Sequence, residues 1–154
     1  MNVTQIPITD PNLDQFYEHL LRLSPEDQQL RFGGVVSDWY VKGYVACMHP
    51  GHDYLIVTYD DGMVIGAAHV NITDGLGDLG LSVENGYRGQ GRGSALLDAA
   101  INLAIEQGAE VFQTQCASHN NWMTRAVNAR GFTMLLEDET RYATKKLHIR
   151  RNLV

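Results

Sequence analysis

The sequence predicts an α+β fold: a strand, helical segments, three antiparallel strands, then helix, strand, helix and two more strands. Three observations carry that expectation. Residues 54–59 and 63–70 are β-branched and apolar runs on either side of Asp60-Asp61-Gly62, the composition of a hairpin. Leu97, Ala100, Ile101, Ala104 and Ile105 recur at helical spacing, with Gly108 placed as a C-terminal stop. Between these patterns lies Gly86-Tyr87-Arg88-Gly89-Gln90-Gly91-Arg92-Gly93-Ser94, a turn joining the apolar run 79–83 to the helix.

The remaining elements follow in order. Residues 3–8 alternate enough for a short first strand. Asp10-Pro11 predicts an N-cap followed by proline at the first helical position, and Leu13, Phe16, Tyr17, Leu20 and Leu21 form the stripe of that helix. Ser24-Pro25-Glu26-Asp27 opens a second helical segment anchored by Leu30 and Phe32. Ser37-Asp38 opens a third, bearing Trp39, Tyr40, Tyr44 and Val45. Residues 71–77 read as a loop. After the long helix come a strand at 111–116, a helix at 120–130 closed by Gly131, a strand at 132–136, the acidic turn Glu137-Asp138-Glu139 and a strand at 142–149. No internal repeat or linker divides residues 1–154, so one domain is expected.

Composition narrows the function classes. With 44% hydrophobic and 19% charged residues the chain reads as an ordinary globule. It carries no apolar run of about 18 residues and no charged-then-apolar leader, so a cytoplasmic protein without a membrane span is expected. A net charge of -6 speaks against nucleic acid, which needs a basic face, and is compatible with a cationic acceptor. Cys47 and Cys116 are expected as buried free thiols. Cys47-Met48-His49-Pro50-Gly51-His52-Asp53 holds zinc-ligand residue types, yet Pro50-Gly51 signals a turn and no second ligand pair follows. No metal is expected.

The glycine turn has the composition of a phosphate cradle. Glycines at 89, 91 and 93 let the backbone approach a ligand closely, and the helix that follows directs unpaired amides and partial positive charge into the turn. The bland alternative is a turn that packs a helix closely on a strand. A nucleoside triphosphate is disfavoured because Gly91-Arg92-Gly93-Ser94 lacks the lysine of a Walker loop. A dinucleotide is disfavoured because the spacing is Gly-x-Gly-x-Gly, deep in the chain.

Arg88-x-x-Gly91-x-Gly93 resembles motif A of the GNAT superfamily of acyl-CoA-dependent N-acetyltransferases. The flanks are similar too: Leu81-Ser82-Val83 resembles the end of the family's fourth strand and Ser94-Ala95-Leu96-Leu97 the opening of its third helix. The resemblance covers nearly the whole chain. It implies a mixed, mostly antiparallel central sheet of about six to seven strands flanked by about four helices. It implies acetyl-CoA as co-substrate, held by Leu81, Ser82, Val83, Arg88, Gly89, Gln90, Gly91, Arg92, Gly93, Ser94 and Asn120, and an unidentified primary amine as acceptor. The segment holding Trp39, Tyr40 and Tyr44 would form one wall of the acceptor pocket, although each ring could instead be core. A homodimer is compatible with a domain of this kind, and no residue fixes it.

A second similarity, Asn120 with Gly131-Phe132, departs from the family at Val127, where the usual tyrosine general acid is missing. Tyr87, Tyr142 and His119 are the substitutes available. Asn120 could equally be a plain helix cap. The implied reaction is direct attack of a neutral amine on the thioester, with the oxyanion held by a backbone N–H of residues 81–83. Asp78 and Glu84 are the candidate general bases, each also readable as a solvated charge at a strand end. Alternation puts Asp78, Gly80, Ser82 and Glu84 on one face of their strand. The competing expectation is a module that binds acyl-CoA without turnover, for which Val127 is the only support.

Overall fold

The computed structural model describes residues 2–117, 119–137 and 140–147. Seven strands form one sheet: β1 (Thr4–Ile6), β2 (Asp53–Asp60), β3 (Met63–Thr73), β4 (Leu76–Val83), β5 (Val111–Gln115), β6 (Thr133–Glu137) and β7 (Thr140–Lys146). The described helices are α1 (Asp10–Leu21), α2 (Pro25–Phe32), α3 (Asp38–Ala46), α4 (Arg92–Glu106) and α5 (Asn121–Ala129). The sheet order is β1-β2-β3-β4-β5-β7-β6. Among the described pairs every one is antiparallel except β4 with β5, so the mixed α+β sheet expected from the sequence is the one that forms.

Local chemistry explains the boundaries. Ser24 and Ser37 cap α2 and α3 by accepting from the N–H groups of Asp27 and Tyr40, each at 3.1 Å, and Gly33 closes α2 in the left-handed region at φ 81. The N-cap of α1 is Thr9 rather than Asp10, which falls in the first turn, where its charge suits the helix dipole. The loop expected at residues 71–77 is mostly strand. Strand β3 runs on to Thr73 and β4 begins at Leu76, because Asp74 at φ 52 and Gly75 at φ 78 turn the chain in two residues. Asp78 therefore lies inside β4 and not at its start. The first strand is shorter than residues 3–8. The expected last strand is seen to Lys146; its end at residues 148–149, and Asp138-Glu139 of the acidic turn, lie outside the described residues.

The sheet separates two cores. On one face Phe16 and Leu20 of α1 and Val41 and Val45 of α3 pack on Leu55, Val57 and Ala67. On the other, Leu96, Leu97 and Ala100 of α4 and Met123 and Val127 of α5 pack on Ile56, Ala68, Val70 and Phe112. Fully burying each such large side chain contributes roughly 1.5–3 kcal/mol, so the helices flanking the site are held by tertiary packing and not by propensity alone. Cys116 is buried as expected, but Cys47 is exposed: it caps α3 just past the face that packs on the sheet.

Candidate active site

The site begins where the one parallel pair stops. β4 and β5 are in register from Leu76↔Val111 to Leu79↔Thr114, whereas β4 continues beside β3 as far as Val83↔Gly66. Beyond Leu79 the strands diverge, and the Thr114 hydroxyl donates to the Leu79 carbonyl at 3.0 Å at the fork. Glu84 gives its N–H to Ile65 at 2.9 Å, so the alternation of a strand turns the N–H groups of Leu81 and Val83 the other way, into the gap. They are backbone donors beside a cleft.

That cleft, of about 280 Å³, leads to the glycine turn. Gly89 and Gly91 sit at φ 75 and φ 80, the region that favours glycine, and Gly91 caps α4 without any side-chain hydrogen bond. The N–H groups of the first helical turn are thus left for a ligand. Gly93 is required for a different reason: a Cβ there would meet the Trp122 ring at 2.9 Å. Arg88 pairs with Asp27 of α2 and donates to the Val83 carbonyl at 3.3 Å, laying its cation along the cleft. Arg92 donates to Thr58 at 2.9 Å and to Gln90 at 3.0 Å. Gln90 turns outward and, alone among the expected cradle residues, does not line the cleft.

A second cavity of about 920 Å³ shares Leu30, Arg31, Leu81, Asn120 and Met123 with the cleft. Its mouth carries Trp39, 81% exposed, and Tyr40, 52% exposed, which rules out the core reading for both rings. Its wall carries Asp78, Tyr44, His69 and Asp53. Arg31 lies across β4 at Gly80, where a Cβ would overlap its guanidinium. Asp78 has its side chain in the open cavity yet is flanked by protein, and that burial pushes its pKa up against the opposing pull of Arg31.

The two candidate acids have separate surroundings. Glu84 is buried and lines neither cavity: Arg22 grips it at 2.8 and 3.2 Å, and His19 meets it at 2.9 Å while its other nitrogen meets Ser82 at 2.8 Å. Burial works against its charge, but the bonds from His19 and Arg22 win and hold its pKa below the ordinary carboxylate value. Glu84 is a structural anchor of α1 on the sheet. Asn120 caps α5, accepting from Met123 N–H at 3.1 Å, and lines both cavities.

Of the three substitutes for the missing tyrosine, Tyr142 lines the large cavity. Tyr87 lines the cleft at the glycine turn and donates its hydroxyl to Asp60 at 2.8 Å, and His119 lines a separate smaller cavity. Val127 itself is fully buried in the core beneath α5. Arg31, His69 and Asp53 were not singled out as acceptor-site residues from the sequence, and Tyr44 was expected there only as part of the wall. One signal was present: His69 interrupts the otherwise apolar run of β3. Among the described residues no group of three or more His, Cys, Asp or Glu could hold a metal ion, and no helix is long and apolar enough to cross a membrane.

A parallel strand pair forks here over a glycine-capped helix, beside a cavity walled by α2, α3, α5 and the strands β2, β3 and β7. The chain belongs to the Acetyltransferase (GNAT) family, whose sequence model matches residues 13–132. Its fold is similar to that of the GNAT domain of PAT from S. lividans, at 20% identity and TM-score 0.77, covering 94% of this chain and 90% of that one. It is similar to the ribosomal-protein-S18-alanine N-acetyltransferase of Escherichia coli, at 13% identity and TM-score 0.73, covering 99% of each chain. It is also similar to the PaiA N-acetyltransferase of Thermoplasma acidophilum, solved with coenzyme A, at 15% identity and TM-score 0.68, covering 96% of this chain and 100% of that one. No curated protein matches the sequence.

Proposed function

We propose that the protein is an N-acetyltransferase that moves an acetyl group from acetyl-CoA to a primary amine by direct transfer. The observation that supports this most is the continuity of the fork beyond Leu79 and Thr114 with the turn at residues 88–94. The diphosphate of the co-substrate would lie on the first-turn amides of α4, with Arg88 and Arg92 as counter-charges. Leu81, Ser82 and Val83 would pair with the pantetheine along the open edge of β4. Asn120 would contact it from α5.

The thioester supplies an activated acetyl group whose carbonyl oxygen gains charge on attack. The N–H of Leu81 or Val83 at the fork would hold that charge. Asp78 puts a carboxylate in the large cavity, which with a chain charge of -6 favours a cationic acceptor. Of the three substitutes for the missing tyrosine, Tyr142 is the one in that cavity, and its hydroxyl would protonate the departing thiolate. With a thiol pKa of about 8.5 the leaving group departs without a strong acid, so Val127 slows the reaction without forbidding it.

The test is release of free thiol from acetyl-CoA across a panel of primary amines, with acetylated product followed by mass. Amine-dependent thiol release is expected. Tight CoA binding without release for any amine would instead mark a module that binds and does not turn over.

A further inference from the structure

Asp53, His69, Tyr44 and Arg31 form an unbroken hydrogen-bonded line along the wall of the large cavity, joining β2, β3, α3 and α2. Chemistry sets the direction of each link. Asp53 is buried and accepts from His49 N–H at 2.7 Å and the Asn71 amide at 3.0 Å. Burial raises its pKa, but these bonds and that of His69 outweigh it and bring it to about 2, so the group is a carboxylate that can only accept. His69 Nε2–H therefore donates to it, at 2.7 Å. In the neutral imidazole Nδ1 is then bare and takes the Tyr44 O–H. Arg31 can only donate, and gives an N–H to the Tyr44 oxygen at 2.6 Å.

The inner members are shut from water: His69 is 8% and Asp53 6% exposed. The outer member, Tyr44, is not. Its oxygen keeps a lone pair free of both His69 and Arg31, in the cavity proposed for the acceptor. The arrangement has the order of a nucleophile triad, carboxylate to imidazole to hydroxyl, with a cation fixed on the hydroxyl oxygen.

We propose that Tyr44 is the catalytic residue that takes the proton from the acceptor, that His69 receives the proton Tyr44 gives up, and that Asp53 positions His69. This rests on the acetyltransferase reading. It also names the acceptor class: an aliphatic primary amine that arrives as an ammonium ion. One N–H bond of the ammonium breaks as an O–H bond forms on Tyr44. The O–H directed at His69 breaks as an N–H bond forms at Nδ1. The acceptor passes from +1 to neutral and His69 from neutral to +1, with the Asp53 carboxylate against the new imidazolium. The transfer to His69 runs ahead of the transfer from the ammonium, so the charge that builds on the Tyr44 oxygen in between is negative, and Arg31 holds it. Asp78 is the competing base in the same cavity, and the experiment separates the two.

Acetyl transfer from acetyl-CoA is measured to n-butylamine, which is protonated at neutral pH, and to hydroxylamine, which is not. Acetyl-CoA binding is followed by calorimetry in parallel. Tyr44→Phe removes one oxygen and keeps the ring, and His69→Gln interrupts the line one step further in. Both are expected to bind acetyl-CoA like the parent, to lose about 100-fold in kcat/KM toward n-butylamine, and to change about 3-fold or less toward hydroxylamine. Equal loss toward both nucleophiles would make the line merely structural and overturn the proposal. So would unchanged rates, or selective loss in Asp78→Asn instead. A parent protein that binds acetyl-CoA but acetylates neither compound overturns the acceptor class; one that does not bind acetyl-CoA fails at the earlier reading.

Discussion

The Thr114 hydroxyl donates to the Leu79 carbonyl at 3.0 Å, and these two residues are the last paired positions of the β4–β5 ladder. The contact turns a frayed ladder into a defined fork. It satisfies a carbonyl that the next rung would have taken, in a place where Thr114 is 3% exposed and water cannot substitute. Thr114→Val keeps the shape and removes the donor. It is expected to cost about 1 kcal/mol in urea unfolding with an unchanged slope. A loss within error of zero would mean the fork is set by its flanks alone.

A Cβ at Gly91 meets no protein atom within 4 Å, so a substitution there reports on the proposed ligand and not on protein packing. Gly91→Asn, which tolerates the left-handed backbone at φ 80, is expected to stay folded and to keep most of its CoA affinity. Gly91→Glu brings a carboxylate to the proposed diphosphate site and is expected to weaken CoA by at least about 100-fold. The pair is compared by calorimetry after thermal melts confirm folding.

The two acids of β4 are expected to fail in different assays. Glu84→Ala leaves Arg22 and buried His19 without their partner and should lose about 3 kcal/mol of stability, with the activity of the surviving folded fraction retained. Asp78→Asn should leave the melting temperature nearly unchanged and raise KM for a cationic amine, since that side chain faces the open cavity. A melt and a rate measurement on each variant decide the matter.

Acid should destabilise the fold in two stages. His19 has a folded pKa lowered below 6.5, chiefly by burial, so the unfolded chain takes its proton first and stability falls as the pH drops below about 6.5. Asp53 is lowered from 3.8 to about 2, burial being outweighed by its hydrogen bonds, so its contribution is complete above pH 3.8 and is lost between there and about 2. That second stage is worth on the order of 2 kcal/mol. Melting curves across this range in parent and Asp53→Asn protein should differ above pH 3.8 and converge as the pH falls to about 2.

Much of the fold was legible because its signals are local. The hairpin turn at Asp61-Gly62, the serine caps Ser24 and Ser37, and the 3.6-residue stripe of α4 each act within a few residues, and each formed where the sequence pointed. The glycine turn was legible for the same reason: Gly89 and Gly91 answer to backbone conformation, and Gly93 to the passage of one ring. What failed depended on partners distant in the chain. Residues 71–77 looked like a loop until β3 and β4 supplied ladder partners on both sides of Asp74-Gly75. Glu84 and Asp78 look alike in sequence, and only Arg22 and His19, over 60 residues away, separate an anchor from a cavity acid. The Asp53–His69–Tyr44 line joins three elements whose spacing carries no motif.

The most direct measurement is a calorimetric titration of coenzyme A and of acetyl-CoA into the purified protein. The account predicts saturable heat at about one ligand per chain for both, abolished in Gly91→Glu and retained in Gly91→Asn. No heat from either ligand, or equal binding in Gly91→Glu, would contradict it.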